Sequence, residues 1–117
     1  MSELSIKIRN YEVKNMEEEI ISILIRPLVK SGVYKNEEVA LKDIIVSYVD
    51  NKINNYEKTI KRIENKYDLN FEDFTNDLKN QANFEQEEDW MDIKSAIVMK
   101  EAWEKAREEI IKKENHV

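Results

Sequence analysis

The sequence predicts a mainly α fold: a short N-terminal strand, then helices, with two copies pairing through the strand, and beyond them a helical hairpin arm. Three observations carry this. The 117 residues include one Gly and one Pro, so turn signals are scarce. Two long stretches repeat apolar residues at alternating spacings of three and four. In residues 4–9, by contrast, apolar and polar residues alternate with a period of two.

That alternation sets Leu4, Ile6 and Ile8 on one side and Ser5, Lys7 and Arg9 on the other. It is the signature of a half-buried strand, and a lone strand must find a pairing partner for its backbone groups. No second strand is evident nearby, so the same strand of another copy is the expected partner.

Asn15 is placed to cap a helix over residues 16–30, with Glu17, Glu18 and Glu19 facing the positive end of its dipole. Ile20, Ile21, Ile23, Leu24, Ile25, Leu28 and Val29 cover well over half its circumference, whereas a surface helix needs an apolar stripe of roughly 100°. Such a helix requires burial on two sides. Ile6, Ile8, Ile21, Ile25 and Leu28 are the expected dimer interface. Pro27 should kink or tighten the last turn, and Ser31-Gly32 ends it.

Asn36 caps the next element, followed by Glu37 and Glu38 in the first turn. No breaker follows until Asp68. Val46, Val49, Ile53, Tyr56, Ile60, Ile63 and Tyr67 recur at spacings of 3, 4, 3, 4, 3, 4, which suits a helical hairpin or a coiled-coil dimer. Asn70 caps a short helix to residue 80, with Leu69 able to staple to Phe74. A link at residues 80–83 leads to a last helix over 86–113, whose seam is Ala96, Met99, Trp103, Ala106 and Ile110. The expected organisation is a dimerising unit over 1–50 and a helical partner-binding arm over 51–117.

Catalytic machinery is not evident. The single Gly excludes a Gly-rich phosphate loop, and the absence of Cys excludes disulfides and thiolate metal sites. His116 stands beside the C-terminus and reads as a tail residue. The expectation is a non-enzymatic protein with no cofactor and no metal. The N-terminal ten residues hold no apolar core of signal-peptide length, and no stretch nears the roughly 20 apolar residues of a membrane span. A cytoplasmic protein without membrane contact is expected.

Two segments stand out as binding candidates. Phe84, Glu85, Glu87, Glu88, Asp89, Trp90, Met91 and Asp92 place five acids within eight residues beside an indole and a thioether. The plain reading is a helix start, with acids offsetting the dipole and Trp90 in the core. The sharper one is a docking patch in which carboxylates meet a basic partner and Trp90 and Met91 supply the desolvated anchor. The second segment is the polar strand face, Ser5, Lys7 and Arg9, which a paired ribbon would insert into the DNA major groove. Against it, residues 1–50 hold 7 basic and 9 acidic residues, a poor balance for phosphate contact.

The run from Leu28 through Ser31-Gly32-Val33-Tyr34 to Asn36 and Ile44 resembles the middle of ribbon-helix-helix antitoxins. There a helix ends in a Ser-Gly-x-Tyr-type turn and a polar cap opens the next. The chain departs from that pattern in carrying Glu37-Glu38 where a phosphate would approach. The run Lys66-Tyr67-Asp68-Leu69-Asn70-Phe71-Glu72-Asp73-Phe74, followed by Glu87 to Asp92, is similar to the C-terminal arm of small prokaryotic antitoxins. These resemblances imply a ribbon-helix-helix-like dimer whose arm masks a cognate toxin, often a ribonuclease, and which contacts operator DNA to autoregulate its operon. The alternative expectation is a self-assembling helical adaptor.

Overall fold

A computed structural model describes the backbone of residues 3–115 and the side chains of residues 15–112. The order of elements is α1 (Glu3–Lys30), α2 (Glu37–Tyr67), α3 (Phe71–Leu78) and α4 (Phe84–Asn115). The fold is mainly α, with no strand among the described residues. No described helix is long and apolar enough to cross a membrane. The chain forms two compact units, Met1–Ile45 and Val46–Val117.

The expected N-terminal strand is corrected: residues 4–9 lie within α1. The two-residue alternation spans six positions only, and no Gly or Pro separates it from the apolar stretch at 20–29. A helix pairs its N–H and C=O groups within its own segment except at its ends, whereas a strand with no neighbour leaves them unpaired. Asn15, expected as a cap, is therefore interior to α1. The ribbon-helix-helix-like arrangement falls with the strand. So does the shared polar face of Ser5, Lys7 and Arg9, because positions two apart do not share one side of a helix and Lys7 is two from each of the others. The side chains of these three, and of Ile6 and Ile8, lie outside the described residues.

Local chemistry punctuates the other elements. At the end of α1, Val33 N–H donates to the Leu28 carbonyl (3.1 Å) and Gly32 N–H to that of Val29 (3.1 Å), a Schellman closure. Gly32 supplies the left-handed residue that this closure needs, with φ +82°. α2 ends in the same way. Leu69 N–H donates to the Glu64 carbonyl at 3.1 Å, and Asp68 takes the left-handed position with φ 53°. Asn36 caps α2 by accepting from Val39 N–H (2.9 Å), and Asn70 caps α3 by accepting from Asp73 N–H (2.8 Å).

α4 starts at Phe84, two residues before the expected start. Asn83 and Gln86 form a reciprocal capping box: Gln86 N–H donates to Asn83 Oδ1 (2.8 Å), and Asn83 N–H donates to Gln86 Oε1 (3.1 Å).

In the first unit, Ile25 and Ala40 are buried. Ser22 Oγ donates to both carboxylate oxygens of Glu37 (3.1 and 3.0 Å), and Tyr34 donates to Asp43. In the second unit, Ile60, Ile63, Phe74, Ile93 and Ala96 form the core, with Tyr56, Tyr67, Leu69, Phe71, Leu78, Trp90 and Ile97 packed around it. Phe74, Ile63 and Ile93 are wholly enclosed, each contributing about 1.5–3 kcal/mol of apolar transfer free energy. Val49, Ile60 and Ile63 of the α2 seam are thus buried within this unit, with Tyr56 and Tyr67 packed against its core.

Candidate functional site

Among the described residues, four ion pairs join α2 to α4 inside the second unit, one of them Lys66 with Glu85. Asp50 accepts from Arg107 Nε at 2.7 Å, Glu57 pairs with Lys100 at 2.5 Å, and Lys66 pairs with Asp89 at 2.7 Å. The seven residues from Asp50 to Glu57 are matched by seven, in descending order, from Arg107 to Lys100. Seven residues are two helical turns, so the pairs mark one antiparallel register. Tyr48 also meets the edge of Trp103, with ring centroids 5.8 Å apart. The exposed pairs Asp50–Arg107 and Glu57–Lys100 contribute about 0–1 kcal/mol apiece, and their main effect is to select a register.

The acidic segment divides along this geometry. Lys66 Nζ bridges Glu85 and Asp89, both at 2.7 Å, and Tyr67 OH donates to Asp89 at 2.5 Å. Asp89 is buried, and these contacts hold its carboxyl below the usual range, the hydrogen bond from Lys66 first and that from Tyr67 second. Lys66 is correspondingly raised. The Tyr67 phenol is pushed up, first by burial and then by the neighbouring Asp89. Trp90 also turns inward. Its Nε1 donates to Thr75 Oγ1 at 2.8 Å, its ring lies parallel to Phe71, and Lys94 Nζ stands 4.9 Å above it.

The rest of the segment faces outward. Phe84 is 74% exposed and Met91 65%, and Glu87, Glu88 and Asp92 are exposed. Phe84, Met91 and Val98 recur every seven residues, and Val98 is 56% exposed. Placed at 100° per residue, they lie opposite Asp89, Ile93 and Ala96, which face the core. α4 is therefore apolar on two opposite sides. A shallow groove on the outer side is lined by Trp90, Met91, Lys94, Ser95, Val98 and Met99.

In the first unit, Ile25 is buried, Leu28 half-buried and Ile21 partly exposed. Met16, Ile20, Ile23 and Leu24 stand well out, at 61%, 53%, 51% and 70% exposure. Among the described residues no group of three or more acids or histidines is spaced to hold a metal ion.

Sequence reasoning did not find Lys66, Thr75, Asp50, Glu57, Lys100, Arg107 or Val98 as functional or positioning residues. The separations 50/57 and 100/107 were available as a signal, but only knowledge of which helix faces which would have joined them. Comparison with models of known protein families, with curated proteins and with solved structures finds no match to this chain.

Proposed function

We propose that the chain acts as an antitoxin that neutralises a cognate toxin by protein contact, without a reaction of its own. One observation carries this reading: the outward half of the acidic segment presents Phe84 and Met91 among the carboxylates of Glu87, Glu88 and Asp92, none of which is used by the unit's internal ion pairs. A basic cleft on a ribonuclease-type toxin is the surface such a face would mask: carboxylates replace phosphates, and the apolar side chains supply desolvated contact. The mechanism is stoichiometric occlusion. Operator contact through an N-terminal ribbon is no part of it, since α1 is helical there.

The test is co-expression with any small basic protein that a neighbouring reading frame encodes. Growth arrest by that neighbour, relieved by this chain, together with a co-purifying complex, supports the reading. Absence of both relief and complex ends it.

A second association is favoured by the first unit. Met16, Ile20, Ile23 and Leu24 form an exposed apolar surface opposite buried Ile25, and a second copy of the chain is its proposed occupant. Sedimentation equilibrium should give a dimer, and Ile20→Lys with Leu24→Lys a folded monomer. A wild-type monomer at tens of micromolar removes this part.

A further inference from the structure

The outer side of α4 has features that the acidic segment alone does not explain. Its apolar stripe continues past the acids, through Met91 and Ser95 to Val98, and Ala102 stands on the same side. From Phe84 to Val98 the stripe is about 21 Å long, four helical turns at 1.5 Å per residue. Its edges are charged. Glu88 and Asp92 flank one side, and Glu87 and Lys94 the other, so the N-terminal half is bordered by three carboxylates against one ammonium. That ammonium is drawn over the Trp90 ring. Glu85 and Asp89, the remaining acids of the segment, share the single ammonium of Lys66, which offsets one of their two charges from within.

From this face we infer the form of the partner, resting on the masking role proposed above: α4 docks a single basic amphipathic helix of another protein. The groove lined by Met91, Ser95, Val98 and Met99 receives its apolar ridge, and Glu87, Glu88 and Asp92 pair with Lys or Arg on its flanks. The geometry is that of a helix laid in an apolar groove, with anchors recurring at intervals of three, four and seven. Charge selects the occupant. A second copy of this chain would bring another net −6 onto a face already bordered by acids, whereas a basic helix meets complementary potential along the Glu88–Asp92 edge and at Glu87. The inward and outward halves of the segment thus have separate tasks. Asp89 and Trp90 set the helix in place, and Met91 and Val98 present it.

The probe is a synthetic amphipathic helix of about four turns, with leucines on one face and lysines on its flanks, carrying a fluorescent label. A control peptide has the same leucines with glutamates in place of the lysines. Binding to the full chain is read by fluorescence anisotropy at physiological salt. The lysine peptide should bind at least ~10-fold more tightly than the glutamate peptide. Met91→Ser with Val98→Ser should weaken it by ~10-fold or more at unchanged net charge, and Glu87→Gln with Glu88→Gln and Asp92→Asn should do so at unchanged apolar surface. All five positions are exposed, and circular dichroism should show the helices intact.

Equal binding of both peptides, no binding of either, or full retention by the serine variant overturns the inference. The last outcome would reduce the interaction to diffuse charge attraction. A wild-type self-association abolished by Val98→Lys overturns it in favour of a second copy. None of these outcomes decides the antitoxin reading, which stands or falls on growth relief by the wild-type chain.

Discussion

Lys66 Nζ and Asp89 Oδ2 meet at 2.7 Å, where the end of α2 crosses the second turn of α4, and Tyr67 donates to the same carboxylate oxygen. Asp89 is held below the ordinary carboxylate range, so its contribution to stability is complete above about pH 4 and is lost as pH falls through the folded value. Lys66 and Tyr67 are both raised, so their contributions are complete below about pH 10 and are lost as pH rises through the folded values. Thermal unfolding should show a plateau between these limits. Asp89→Asn should cost about 1–3 kcal/mol at neutral pH and flatten the acid limb. An acid limb of unchanged steepness in that variant would contradict the assignment.

The Glu57–Lys100 pair tests the register directly, since it lies two turns from Asp50–Arg107. Glu57→Lys alone places two cations together and should lower stability by about 1 kcal/mol or less. Glu57→Lys combined with Lys100→Glu should recover part of that loss, the remainder reflecting the lost pairs with Lys61 and Glu104. Additive losses in urea titrations of the double variant would mean the two side chains do not meet.

The two tryptophans should respond differently to loss of the indole N–H. Trp90 Nε1 is bonded to Thr75, whereas Trp103 Nε1 is buried with no partner. Trp90→Phe sacrifices a hydrogen bond, and Trp103→Phe removes a donor already costing free energy. Beyond the shared loss of ring area, Trp90→Phe should be the costlier by about 1 kcal/mol or more. Equal midpoints in denaturant would refute the assigned partners.

Two helix ends close through left-handed residues of different kinds, Gly32 and Asp68. Gly32→Ala should destabilise by about 1 kcal/mol, because the strain lies in φ and no atom lies within 4 Å of the added Cβ. Asp68→Gly should stabilise by about 0.5–1 kcal/mol, since it relieves strain at the equivalent position of α2. Matching signs for the two changes, measured by calorimetry, would rule out this account.

Much of the architecture is legible in the residues because it is local. Asn36 and Asn70 announce their helices through a side-chain oxygen that accepts from the N–H three residues on. Ser31-Gly32 announces an end through backbone freedom. The Asn83–Gln86 box was equally readable, and recognising it would have placed the start of α4 correctly. The strand expectation at residues 4–9 failed for a reason of scale: three alternations fit a short strand, but nothing in six residues says whether a pairing partner exists, and a continuous helix needs none.

The candidate site divides along the same line. Composition by itself determined that residues 84–92 are acidic, aromatic and suited either to a helix start or to a partner, and periodicity determined that α2 and α4 each carry a seam. Tertiary structure alone decided that Asp89 and Trp90 turn inward while Met91 and Asp92 turn out, and that Lys66 of the same chain pairs with both Glu85 and Asp89. The physical reason is that a helix carries its chemistry around a full circle, and the side that becomes interior depends on which distant segment packs against it. Here α3 and the end of α2 claimed one side of α4 and left the other, apolar and acid-edged, facing outward.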